Sequence, residues 1–317
     1  MTARSHLGAI RLVVVGYALA YLLVRAPHLI SYRDRPAGDF DPVGLVALVL
    51  DGPLGSTAVV LLVLAAVIAA VPALVGWRWR VTGPIFAVLL TWVLTYRNSW
   101  GVVLHTENLM VLQVIVLALS PAAAAWAIDR QVAPAIEERA RWAIRALAVA
   151  TVLTYVVAGI AKLRNGGWDW VTGDVLRSQV AHDNLRKHLL GDPHSPVGGW
   201  LAGVAWLWPP LAAISQVVEL GAPVALISRR LGLIWSGVAW AFHVAILGLM
   251  AILFPYQLLG VAFAPFLPLG QWLERAQARW RRAGVRAQPP MSDPDTPQPS
   301  RMGSSAARSD SAVTSRP

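Results

Sequence analysis

Lys162 stands in the run Tyr155-Val-Val-Ala-Gly-Ile-Ala-Lys162-Leu, and Lys162 and Lys187 are the lysines among 27 Lys and Arg residues. A lysine drawn out of water can release its proton and act as a base, which arginine cannot do at accessible pH. Tyr155 lies seven residues earlier and shares a face with Lys162 if the run is helical. The bland reading competes. Counting about 1.5 Å per residue from Trp142 puts Lys162 about 30 Å along, near an interface where lysine simply snorkels.

His243 lies in Trp240-Ala-Phe-His243-Val-Ala-Ile. The same rise places it about 18 Å into its run, near the membrane centre. A neutral imidazole there serves either as a helix–helix hydrogen bond or as a ligand-handling group. Metal binding ranks last, because no second ligand stands nearby at helical spacing. Glu219, in Gln216-Val-Val-Glu219-Leu-Gly-Ala-Pro223, shares a face with Gln216. It is either a protonated partner of another helix or part of a polar site. In His105-Thr-Glu107-Asn108-Leu109, Thr106 and Glu107 are explained by helix capping and the helix dipole, which leaves His105 free. Trp168-Asp169-Trp170 reads as an interface anchor, with Asp169 able to face the site. No nucleotide loop, zinc-protease helix, nucleophile elbow or calcium loop is present.

The elements that must hold these groups are transmembrane helices. Of 317 residues, 56% are hydrophobic and 14% charged, against about a quarter charged in soluble domains. Mean hydropathy is +0.55. The 15 Trp suit membrane interfaces, and the absence of Cys excludes disulfides and thiolate chemistry. The expected fold is all-α, a polytopic bundle of about eight spans. They run about Leu7–Val24, Thr57–Val75, Val81–Tyr96, Asn108–Ala127, Trp142–Leu163, within Leu201–Ile227, Leu231–Leu253 and Tyr256–Gly270. The sixth carries Pro209, Pro210 and Pro223 and should kink or start late; the eighth is short and Pro-broken. Arg11 interrupts the first apolar run and no clean cleavage site follows, so this run is read as a retained span rather than a signal peptide.

Domain boundaries follow: 1–270 as the membrane domain, 271–287 as a basic interfacial helix with Trp272 and Trp280 as anchors, and 288–317 as a disordered tail rich in Pro, Ser, Asp and Arg. With the N-terminus inside, Arg78, Arg80, Arg130, Arg139, Arg141, Arg145, Arg229, Arg230 and the tail arginines share the inner side. Positive-inside counting therefore puts both termini in the cytoplasm, in the cell membrane. Net charge is +10. The basic tail reads as attraction to anionic lipid rather than to nucleic acid, because no soluble module carries a basic patch.

In order, these segments resemble the HTTM (horizontally transferred transmembrane) family, whose domain is shared with vitamin K-dependent gamma-glutamyl carboxylase. The resemblance rests on Tyr155-Val-Val-Ala-Gly-Ile-Ala-Lys-Leu with Trp168 and Gly173, on Val218-Glu219-Leu220, and on Phe242-His243 with Phe254-Pro255-Tyr256 eleven residues beyond the His. His105 to Asn108, Pro121 and Asp129 are similar to the family's fourth-span region. The resemblance implies that Lys162 is the base that deprotonates a reduced quinone and that His243 lines the same cavity. His105, Glu107, Asn108, Tyr155, Trp168 and Glu219 would then bind substrate. The chain departs from the carboxylase pattern at Ala161, where a second Lys is expected, and at Leu104, where Asn is expected. Few residues follow the last span, so quinone chemistry without glutamate carboxylation is the expectation. A membrane enzyme for a lipid-soluble substrate leads. A non-enzymatic partner-binding or assembly module follows. A transporter ranks third, for want of inverted repeats or matched broken helices.

Overall fold

The computed structural model describes residues 2–130, 133 and 135–286; the expected tail at 288–317 lies outside them. Among the described residues there are helices and turns and no strand. The α-helices are α1 (Ala3–Ser31), α2 (Ser56–Val75), α3 (Trp79–Asn98), α4 (Asn108–Ala118), α5 (Ile136–Val171), α6 (Asp174–Leu190), α7 (Pro196–Leu201), α8 (Trp208–Leu220), α9 (Arg229–Met250), α10 (Pro255–Leu258) and α11 (Leu269–Arg286). Residues up to Arg275 form one unit; from Ala276 the chain continues as the second half of α11.

Four helices are long and apolar enough to cross a bilayer: α1 with its 3-10 extension to Asp34, α2, α5 and α9. Their outward faces make the case. On α2, Leu61, Leu64, Ile68 and Val71 are exposed; on α5, Val149, Leu153, Val157 and Ile160 are. Both sets recur at three- and four-residue spacing, so each forms an apolar stripe. Stripes of that length facing water would be an aggregation hazard, whereas facing lipid they are at home. The chain is a membrane protein. The other expected spans are covered differently. Helix α3 has 20 residues but is not among the four. Helix α4 stops at Ala118, just before Ser120-Pro121. Helix α8 begins at Trp208 with Pro209 and Pro210 in its first turn and gives way to a 3-10 turn around Pro223. Between Pro255 and Gly270 lie the four residues of α10, a 3-10 turn and the start of α11.

Helix α1 packs on α2 and α5, α2 on α3, α3 on α4, and α4 on α5; α5 then meets α8, whose continuation packs on α9. The main core is contributed largely by α1, α3, α4 and α5, with Phe263 and Tyr256 from the 255–270 segment. Arg11, which breaks the first apolar run, is wholly buried; it donates to the Trp126 carbonyl and lies 5.7 Å from the Trp79 ring centroid. A smaller cluster of Tyr32, Tyr96 and Trp100 with Phe40 closes the loop after α1 over the end of α3.

Glu107 stands at the N-cap position of α4, but its side chain makes no cap hydrogen bond there. It instead accepts from Arg97 Nη2 at 3.0 Å, and from Thr106. Arg97 also donates to Tyr21 Oη at 2.7 Å, so one buried guanidinium joins α1, α3 and the loop before α4. Burial pushes the Glu107 carboxyl up, but the hydrogen bonds from Arg97 and Thr106 outweigh it and hold the group below its usual range.

Two predictions follow from these joints. Gly173 has φ +90°, and a Cβ there would strike the backbone of Trp208 and Pro209. Gly173→Ala should therefore lose about 1–3 kcal/mol, read as a lower midpoint of thermal unfolding by tryptophan fluorescence in detergent. Gly237→Ala, in the middle of α9 with nothing within 4 Å of its Cβ, should be neutral or gain up to about 1 kcal/mol. Equal losses at both positions would refute the packing account. The second concerns Glu107. Its folded pKa lies below the unfolded value, so its contribution is complete above the unfolded pKa of about 4.5 and is lost as pH falls through the folded value. Glu107→Gln should cost about 1.5–3 kcal/mol at pH 7 and flatten the stability profile below pH ~4.5. A wild-type and a variant profile that stay parallel through that window would count against the ion pair.

Candidate functional site

A cavity of about 560 Å³ lies between α5, α6, α8 and α9. Its walls are mostly apolar, with Leu109, Ala158, Val238, Ile246, Leu249 and Phe254 among them. That volume suits a small organic ligand. Lys162 from α5 and Glu219 from α8 meet at its wall, with Nζ 2.6 Å from Oε1. The Lys162 side chain is 24% exposed and the Glu219 side chain 5%.

The local sequence explains the meeting. Gly159 stands one helical turn before Lys162. A Cβ at 159 would lie 2.9 Å from Leu220 Cδ2 and 3.1 Å from Glu219 Cβ. The missing side chain lets α8 approach α5 at the level where the two charges pair. The ammonium also sits 5.1 Å from the Trp170 ring centroid and 5.4 Å from that of Phe242. Two aromatic faces and a carboxylate thus replace much of its hydration.

Glu219 Oε2 is buried without a hydrogen-bond partner, and so is Gln257 Oε1. Both residues line the cavity. These are acceptors waiting for donors. His243 is buried on α9, and its Nδ1 lies 2.8 Å from the Ala239 carbonyl. A carbonyl can only accept, so the ring carries its proton on Nδ1 and leaves Nε2 as an acceptor. The Tyr155 ring packs edge-on to Trp235 at 4.9 Å and to His243 at 5.8 Å. Trp235 Nε1 donates to the Val218 carbonyl at 3.0 Å and so fixes α9 against α8, one residue before Glu219.

The cavity brings together five of the sequence candidates: Lys162, His243, His105, Tyr155 and Glu219. Three others lie outside its lining. Glu107 is committed to Arg97. Asn108 opens α4 next to it. Trp168 is 79% exposed. The indole at the site is that of Trp170, whose Nε1 is 3.4 Å from Ser215 Oγ. The backbone leaves the helix between Lys162 and both tryptophans, at Gly167 with φ 55° and ψ −144°. Phe242 and Gln257 were also not singled out as ligand contacts. Phe242 stands in the Phe242-His243 motif and Gln257 directly follows Phe254-Pro255-Tyr256, and that adjacency was the available signal.

No curated protein and no solved structure matches the chain. The HTTM domain model matches residues 11–270, which contain every group of the cavity. The chain belongs to the HTTM domain family.

Proposed function

We propose that this chain is a membrane enzyme for a lipid-soluble, hydroxyl-bearing substrate of the quinol type, with Lys162 as general base. The carrying observation is the Lys162–Glu219 pair, 2.6 Å apart, on the wall of an apolar cavity with unpartnered acceptors. A reduced quinone fits this lining. Its ring and tail match the apolar walls, and its hydroxyls supply the donors that Glu219 Oε2 and Gln257 Oε1 lack. When bound, it supplies a weakly acidic hydroxyl. Lys162 in its amine form receives that proton, and Glu219 holds the ammonium so formed. Trp170 and Phe242 flank the ammonium with their ring faces, and His243 accepts a hydrogen bond through Nε2. His105, at the cavity rim, orients the ligand.

In the same reading the bundle occupies the cell membrane with about eight spans. Helices α3, α4, α8 and the 255–270 segment complete the count, and both termini are cytoplasmic. The membrane domain covers 1–270, followed by a basic helix over 271–287 and a tail over 288–317. The inward grouping of arginines such as Arg78, Arg80, Arg229 and Arg230 supports the orientation.

The test is mass spectrometry of small molecules retained by detergent-purified protein. Wild type should carry a quinone-type lipid. Ala158→Trp, which fills the cavity, and Lys162→Ala should each reduce it at least about tenfold, roughly 1.4 kcal/mol of binding. Identical retention in all three proteins would sink the cavity as the binding site. Lys162→Arg then isolates the proton-transfer role: it keeps the charge but cannot lose it, so conversion of the identified ligand should cease. Conversion at the wild-type rate would remove Lys162 as base.

A further inference from the structure

A second chamber of about 350 Å³ adjoins the first. Lys162, Trp170 and Gln179 belong to both linings, while Asn165 and Gly166 belong to the second alone. The Lys162 side chain is therefore part of the partition between them. The two spaces differ in chemistry. The larger is walled by α8 and α9 and is almost wholly apolar. The smaller lies where α5 breaks at Gly167 and α6 begins. Of its lining, Asn165 and Gln179 are exposed; Arg164, Asp169, Asp174 and Ser178 are exposed on the same two helices, as are Leu163 and Trp168. Exposed charges and amides belong in water or among headgroups, not among acyl chains.

The valence of the ammonium points the same way. Lysine has three N–H donors. Among the described residues the one hydrogen-bond partner of Lys162 Nζ is Glu219 Oε1. Two donors remain for whatever occupies the chambers. A base that takes a proton inside an apolar cavity must also pass that proton on.

We propose that Lys162 is reached from two phases: from the bilayer through the apolar cavity, and from water through the chamber at Asn165, Gly166 and Gln179. Water and small polar bases enter by the second route and carry away the proton that Lys162 gains. The role in turnover rests on the base reading given above; the aqueous doorway itself does not. Gly166 keeps the doorway open. A Cβ there would make ordinary contacts, 3.4 Å to Trp170 Cβ and 3.5 Å to Val175 Cγ2, so a longer side chain can be accommodated only by extending into the chamber.

The chain contains no Cys, so single cysteines can be introduced without background. Full-length Lys162→Cys in lipid nanodiscs should react with a charged, water-soluble methanethiosulfonate. Adding Gly166→Leu should slow that reaction at least about tenfold, about 1.4 kcal/mol in the barrier, and adding Ala158→Trp should leave it unchanged. A neutral, lipid-soluble thiol reagent should show the reverse pattern. Asn165→Cys, on the chamber rim and away from the ion pair, should react with the charged reagent at a rate indifferent to Ala158→Trp, which keeps the test open if Lys162→Cys does not fold. The proposal is overturned if the charged reagent fails to reach position 162 in the folded protein, or if Ala158→Trp slows it at either position. Ligand retention by the wild type is read separately. A retained quinone with a closed doorway leaves the base reading standing, and an open doorway with an empty cavity leaves only the doorway.

Discussion

An ion pair at the wall of an apolar cavity is the constraint on which this half of the molecule depends. The Glu219 carboxylate, 5% exposed, carries a desolvation penalty of several kcal/mol and could not be held there alone without a large loss. Pairing at 2.6 Å requires α5 and α8 to be close and in register. Gly159 supplies the closeness. Trp235, hydrogen-bonded to the Val218 carbonyl, holds the register by tying α9 to the residue before Glu219. Replacing such a pair by apolar residues of similar size is often neutral or stabilising in proteins. Its presence therefore argues for a use other than stability.

The far end of α9, where Leu249 and Met250 also line the cavity, shows how the chain meets unpaired backbone carbonyls. Helix α9 ends at Met250, and its last carbonyls have no partners within the helix. They are met from α6 and α7. Ser195 Oγ donates to Gly248, Asn184 Nδ2 to Leu249 at 2.8 Å, and Lys187 Nζ to Met250 at 2.6 Å. Gly198 lets α7 come up against the Leu249 carbonyl, where a Cβ would collide. Lys187 is thus spent on a helix C-terminus and on Asp183 at 2.7 Å, a favourable place for a cation. The two lysines of the chain contrast: one completes a backbone, the other faces open space.

Legibility from sequence followed the range of the forces involved. The apolar runs of α1, α2, α5 and α9 were readable because a span is defined by its own composition. Lys162, Glu219 and His243 stood out because each interrupts such a run. Their convergence on one cavity was not readable, since it depends on contacts between helices far apart in sequence, set by Gly159 and Trp235. Glu107 was assigned to the helix dipole because Arg97, ten residues earlier, sits across a turn whose path sequence does not specify. Trp168 was named through the family resemblance, and that Trp170 is the indole lining the cavity depends on where the chain runs after the break at Gly167.

Two buried polar clusters within the bundle can be set side by side, and the comparison separates structure from site. In the first, Gln113 Nε2 donates to Thr151 Oγ1 at 3.0 Å and to the Ala262 carbonyl at 3.1 Å, its Oε1 accepts from Tyr256, and Thr151 donates back to its own helix. Every donor and acceptor on the Gln113 side chain has a partner, and the cluster fastens α4, α5 and the 255–270 segment together. In the second, the same kinds of groups remain open: Glu219 Oε2, Gln257 Oε1 and the unused donors of Lys162. An unpaired buried acceptor carries a penalty of about 1–3 kcal/mol, and that penalty separates the second cluster, whose acceptors line a cavity, from the closed first one.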